Sequence, residues 1–394
     1  MSWPVVKLSE IAPAKPLKNR AIAPGEMVWH LTLDKIESNT GKITEEIILP
    51  VSKAKNSTHW FDNRHVLYSK LRPYLNKVVV PEKKGIATTE LVPLMPDPQR
   101  LDRTYLAYYL RSPRFVHWIS GQVTGAKMPR ASMKIFWNHE IPLPPLPEQK
   151  RIAAILDKAD AIRRKRQQAI KLADDFLRAT FLDMFGDPVT NPKGFTERNL
   201  SEFYLNAKEG TKCGPFGSAL KKHELVDSGV PVWNMDNIDP SGRSIMPFRM
   251  WITEEKYDAL SAYSVCDGDI IISRAGTVGK MCIAQVANKP SIISTNLIRL
   301  RLGPELLPVY FVALMTYCKG RVGRLKTGDD GAFTHMNTGI LDNLSFPYPP
   351  IFLQQQFAKV VEHVESLRDR LSEASSLKGH FFNSLTQRAF RGEL

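Results

Sequence analysis

Ile141-Pro142-Leu143-Pro144-Pro145-Leu146-Pro147-Glu148-Gln149-Lys150-Arg151-Ile152 runs from a proline-rich hinge straight into a helix, and the chain does this twice. Pro147 falls in a first turn, where its missing N–H costs nothing, and Glu148 follows at the positive end of the helix dipole. Half a chain later Phe346-Pro347-Tyr348-Pro349-Pro350 leads through Gln354-Gln355-Gln356 into a second helix.

Each helix is apolar at three-four spacing. In the first, Ile152, Ile155, Ala159 and Ile162 share a face that resumes with Ala169, Ala173 and Phe176 beyond Arg166. In the second, Phe357, Val360, Val364, Leu367, Leu371 and Ala374 keep a coiled-coil register, with Phe381 two turns on. Gly186-Asp187-Pro188 stops the first and Gly392 the second. Some forty residues at 1.5 Å each make rods of roughly 60 Å, too apolar on one face to stand alone. The economical partner of each is the other, packed antiparallel about an approximate two-fold axis. Ile162-Arg163-Arg164-Lys165-Arg166 is expected to be a solvated face, since consecutive helical residues point apart.

Outward from the hinges the two halves match in order. Leu8-Ser9-Glu10 is echoed by Leu200-Ser201-Glu202, Val28-Trp29-His30 by Val232-Trp233-Asn234, and Thr89-Glu90-Leu91-Val92 by Thr295-Asn296-Leu297-Ile298. Tyr105-Leu106 pairs with Tyr310-Phe311, and Thr124-Gly125 with Thr327-Gly328. Short apolar runs between turn residues, such as Lys77 to Pro81 and Asp267 to Ser273, read as strands; Tyr105 to Phe115 and Pro308 to Lys319 read as short helices. The fold class is α+β: two mixed α/β domains, 1–146 and 188–350, joined by two long antiparallel coiled-coil helices, 147–187 and 351–394, as a pseudo-two-fold repeat.

The chain has 394 residues, a net charge of +14, 43% hydrophobic and 24% charged residues. Ordinary composition excludes wholesale disorder, and the charge calls for an acidic partner: nucleic acid, anionic membrane or acidic protein. No run of about 18 apolar residues spans a bilayer, and Met1-Ser2-Trp3-Pro4-Val5 lacks the regions of a signal peptide, so a cytoplasmic chain with no membrane partner is expected. Cys213, Cys266, Cys282 and Cys318 form no C-x-x-C pair and the histidines no H-E-x-x-H, so neither a metal nor a disulfide framework is expected.

Cations gather in corresponding polar loops. Ser69 to Lys77 carries Lys70, Arg72 and Lys77; Ser273 to Lys280 carries Arg274, Thr277 and Lys280. A second pair of loops brings Gln122, Lys127 and Arg130 in one half and Lys326, Thr327 and His335 in the other. Such side chains suit phosphates and base edges. The loops match in place and differ in content, as two readers of different sequences should.

Fragments that imitate catalytic motifs fail. In Ser273-Arg274-Ala275-Gly276-Thr277-Val278-Gly279-Lys280, Arg274 stands where a phosphate-binding loop needs its first glycine and Met281 where it needs a hydroxyl. Glu82-Lys83-Lys84 has no carboxylate pair at suitable spacing before it on an identifiable strand, Pro347-Tyr348-Pro349-Pro350 lacks the amide of a methyltransferase motif, and Asp267-Gly268-Asp269 reads as a turn.

Over essentially its whole length the chain resembles the specificity subunit of type I restriction-modification enzymes. The resemblance rests on Ile141 to Ile152, on Ser69-Lys70-Leu71-Arg72-Pro73-Tyr74-Leu75 with Thr88-Thr89-Glu90, and on Ile272 to Gly279. It implies two target-recognition domains, each reading one half of a split site on double-stranded DNA, with the helices fixing the unread gap. It implies two methyltransferase subunits using S-adenosylmethionine and restriction-motor subunits using ATP and Mg, with no catalytic residue and no cofactor in this chain. One departure is that Pro349-Pro350-Ile351-Phe352-Leu353-Gln354-Gln355 lacks the Pro-Glu-Gln of the first hinge, which leaves the equivalence of the two docking surfaces open. Two other readings remain: the specificity region of a fused restriction-methylation enzyme, and a coiled-coil adaptor for an acidic protein without DNA.

Overall fold

Val5–Lys7 pairs antiparallel with Glu140–Pro142, so the start of the first half is tied to its hinge. The computed structural model describes residues 3–17, 25–53, 58–216, 219–239, 241–274, 278–317 and 337–394, the side chains of 372–381 and 383 excepted. The chain divides into two units, Met1–Gln168 with Leu371–Leu394, and Ala169–Arg370.

In the first unit Met27–Leu31 lies between Ile47–Pro50, antiparallel, and Gly85–Thr88, parallel, with Thr58–Phe61 beyond. Gly85 is required opposite Trp29, because a Cβ there would stand 2.8 Å from the Trp29 carbonyl oxygen and 2.7 Å from Phe61. A second sheet places Val66–Ser69 between Val78–Val79 and Leu91–Leu94. Against it pack the helices Arg103–Arg111 and Pro113–Ser120, separated at Ser112-Pro113 where sequence periodicity alone reads one helix. Asp102 caps the first of these, accepting from the N–H groups of Thr104 and Tyr105.

The second unit repeats this order. Glu197–Asn199 pairs with Ser345–Pro347, Val230–Trp233 runs parallel to Ile292–Ile293, and Ile270–Ser273 lies between Met281–Ile283 and Leu297–Leu300. The helix Pro308–Tyr317 takes the place of Arg103–Arg111.

The correspondence extends to single hydrogen bonds. Tyr105 Oη donates to the Pro142 carbonyl at 2.9 Å, and Tyr310 Oη to that of Pro347 at 3.1 Å. Gln149, fully buried, donates to the carbonyls of Arg100 and Pro144 and accepts from the Asp102 N–H, each at 2.8 Å. Gln354, also fully buried, donates to the carbonyls of Glu305 and Pro349 and accepts from the Leu307 N–H at 2.9 Å. Every member of the second set lies the same number of positions beyond its counterpart. The second hinge thus lacks the Pro-Glu of the first but keeps its working glutamine.

The long helices span Leu146–Phe185 and Ile351–Arg391. Gly186, at φ +76°, ends the first, its N–H returning to the Leu182 carbonyl. In the first unit Ile152 and Leu156 share a core with Leu385 and Ala389; in the second, Phe181 and Phe185 pack on Phe357 with ring centroids 5.5 and 5.6 Å apart. Within each unit the beginning of one helix therefore meets the end of the other, which is antiparallel packing.

The apolar stripe differs in phase from its sequence reading. Ile162, Phe176 and Leu367 are exposed, whereas Leu156, Leu177, Phe181 and Phe185 are buried, and so is Arg368 beside Leu367. A 3.5-residue repeat and a straight helix of 3.6 select the same side chains for two turns and then part by about 20° per heptad; the buried set follows 3.6. Where the stripes part, the seam turns polar. Asp160 pairs with Arg163 and Arg164, while Arg368 and Arg243 both pair with Asp174 and Glu365. Arg163 and Arg164 are thus engaged by a carboxylate on their own helix.

Candidate nucleic-acid interface

In the first unit, two loops are bonded into one ridge. Beyond Val66–Ser69 the chain folds back, with the Ser69 N–H on the Lys77 carbonyl at 3.1 Å and the Lys70 N–H on that of Glu90 at 3.0 Å. Arg72 and Asn76 adopt left-handed backbone, φ +48° and +52°, around the short turn Pro73–Leu75. The second loop is a hairpin, Val123–Thr124 against Arg130–Ala131, with Gly125 at φ +88°. The Arg72 N–H donates to the Pro129 carbonyl at 2.7 Å and the Ala131 N–H to that of Lys70 at 2.8 Å, joining hairpin to turn.

The six candidates on this ridge differ in what they are free to do. Lys77 Nζ donates to the Leu33 carbonyl at 2.7 Å, and Arg130 grips Glu90 through Nη2 at 2.8 Å and Nε at 3.0 Å. That carboxylate holds the Arg130 guanidinium above its ordinary pKa. The Gln122 carbonyl accepts from the Ser132 N–H. Among the described residues, Lys70, Arg72 and Lys127 have no side-chain hydrogen bond or ion pair, and Arg72 and Lys127 are exposed. Burial, with the Lys70 charge next in size, lowers the pKa of His59, which marks Lys70 as its neighbour. Tyr74 and Met128, both exposed, lie on the same loops; neither carries a charge, so a pattern of cations does not mark them.

In the second unit the matching turn is closed by the Ser273 N–H on the Lys280 carbonyl at 2.8 Å and the Arg274 N–H on that of Asn296 at 3.0 Å. Arg274 therefore corresponds to Lys70, and Lys280 to Lys77. The Arg274 guanidinium lies over the exposed ring of Phe216, 4.7 Å from its centroid. Lys280 is half-buried, its N–H on Ser273 Oγ. Thr277, Lys326, Thr327 and His335 lie outside the described residues.

Carboxylates that imitate catalytic pairs are occupied. Asp267 accepts from the N–H groups of Val286, Ala287 and Asn288, which hold its pKa below the usual range. Asp269 is bound by Arg301 and by the Cys266 N–H. Glu82 stands 3.6 Å from Arg103.

A repeated frame that carries, in each copy, a differently equipped basic turn is the arrangement of a recognition protein with one reading surface per unit. The chain belongs to the type I restriction-modification DNA specificity family: the family's DNA specificity domain matches residues 2–172 and again 216–376. It is a DNA target-recognition subunit. It is 24% identical over 297 residues to the type I restriction enzyme MjaVIII specificity subunit of Methanocaldococcus jannaschii, covering 72% of this chain and 68% of that one. It is 25% identical over 194 residues to the EcoDI specificity subunit of Escherichia coli, covering 48% and 43%. In fold it is similar to the S subunit of a type I system from M. genitalium, with a TM-score of 0.60 at 17% identity over 98% of this chain and 96% of that one. A chain from a study of complex assembly in the type I system gives 0.56 at 19% identity, over 100% and 98%.

Proposed function

We propose that the chain is the non-catalytic reader of a two-part DNA site. The first unit addresses one half-site through Lys70, Arg72 and Lys127, the second addresses the other through Arg274 and Lys280, and the long helices set the unread gap. The observation that carries this reading is the division within the repeat: bonds that build the frame recur, while side chains on the corresponding turns differ. Two identical half-sites have no need of different turns, whereas an asymmetric site requires them. A net charge of +14 suits a polyanion. By their place in the sequence, Thr277, Lys326, Thr327 and His335 belong to the second reader.

The reading extends to partners. It assigns double-stranded DNA, two methyltransferase subunits with S-adenosylmethionine, and restriction-motor subunits with ATP and Mg, assembled in the cytoplasm, and leaves this chain without cofactor, metal or catalytic residue. The engaged carboxylates support the last point.

Inserting one heptad into each long helix tests the reading, because seven residues add about 10 Å, or some three base pairs of B-DNA. Methylation mapping of the assembled complex should find both half-sites intact and the gap longer. An unchanged gap, or a site with no second half, overturns the proposal.

A further inference from the structure

Where the turn leaves its strand, the second unit holds an arginine stacked on a ring and the first holds a lysine. Arg274 leaves the strand Ile270–Ser273 with its main chain fixed on Asn296. Its guanidinium lies over Phe216, a ring that remains 57% exposed although a core would readily take it in. Nη1 of Arg274 is withdrawn from water and, among the described residues, meets no acceptor. Stacking covers a face of the planar group and fixes its plane, and a donor left unpaired is an unmet hydrogen bond that an arriving acceptor completes once the side chain turns toward it.

Lys70 occupies the equivalent position in the first unit. It presents a point charge without a planar fork, and among the described residues no aromatic ring lies over it. Glu90, the counterpart of Asn296, is already spent on Arg130. The difference between the units is therefore one of geometry as well as charge.

We propose that Phe216 is a positioning residue that holds Arg274 for bidentate recognition of a guanine, through O6 and N7, in the half-site read by the second unit. The inference rests on the DNA-reading function above and adds to it a base and the ring that secures its reader. Guanine is the base that offers two adjacent acceptors in the major groove. A phosphate would also accept from arginine, but it carries no sequence, so the two are separable.

The experiment uses this chain assembled with its methyltransferase subunits and duplexes of the mapped site, with each guanine replaced in turn by 7-deazaguanine. In the unaltered complex, one such replacement in one half-site should lower the methylation rate roughly 5- to 150-fold. R274K and F216A should lose the same rate on the unmodified site and gain no further penalty from that replacement; F216W, which restores a stacking face, should keep both rate and sensitivity. Absence of any sensitive guanine, an R274K loss that is equal on every sequence, or an F216A complex that behaves as the parent overturns the inference. If the unaltered complex methylates without regard to either half-site, the DNA-reading function itself fails, a result distinct from all three.

Discussion

The first and second units share a skeleton and differ in what they hang on it. Tyr105 and Tyr310, Gln149 and Gln354, and the strands on which they bear make the same bonds in the same order, while Lys70 is replaced by Arg274, Glu90 by Asn296, and His139 by Leu344. Positions that satisfy buried backbone groups have one chemical solution and recur. Positions at the turn ends have many, and they diverge.

The largest expected effect tests whether the skeleton is equivalent. Gln149→Leu keeps the volume but strands two carbonyls and one N–H in a buried site, at a cost of about 3 kcal/mol. Gln354→Leu should cost the same to within about 1 kcal/mol. Urea unfolding of the two variants reads this directly, and a large inequality would break the symmetry of the two hinges.

Next comes a difference in acid response. Burial, with the nearby Arg114 charge adding to it, pushes the His139 pKa down to about 4 while Tyr109 Oη meets its Nε2 at 2.8 Å. The unfolded chain, with an ordinary histidine near 6.5, binds more protons between these values, so stability is present above about pH 6.5 and falls as pH drops toward 4. His139→Leu, which copies Leu344, should remove roughly 2 kcal/mol of the loss between pH 7 and 4.5, measured as the change in urea midpoint. A pH profile identical to that of the parent would show that the histidine is not responsible.

The smallest effect sharpens the contrast among cations. Arg72→Ala and Lys127→Ala should each lower the salt slope of DNA binding by about one, while Lys77→Ala, which removes a bond to Leu33, should leave the slope alone. A slope that drops equally for all three would return Lys77 to the interface.

Hinges, helices and the order of the repeat were legible in the sequence because each depends on neighbours a few residues apart. The phase of the helical stripe was legible for two turns only: Ile152 and Phe357 obey either period, but Ile162 and Leu367 do not. Asp160 and Arg368 were invisible to a search for apolar spacing, since their place on the seam depends on pairing. At the interface the cations could be found, but not their commitments. Glu90 and Leu33 are remote in sequence from Arg130 and Lys77, and Phe216 from Arg274, so only the folded chain distinguishes a free charge from a spent one.

The proline-rich segments before the long helices look in sequence like joints, and the buried glutamines make them welds. Gln149 belongs to the long helix yet grips both the loop at Arg100–Asp102, which starts the next helix, and the proline segment itself. Twisting the rod about its axis must therefore wrench that loop and the helix it begins, so torque on the rod reaches the body of its own unit instead of being lost in a swivel.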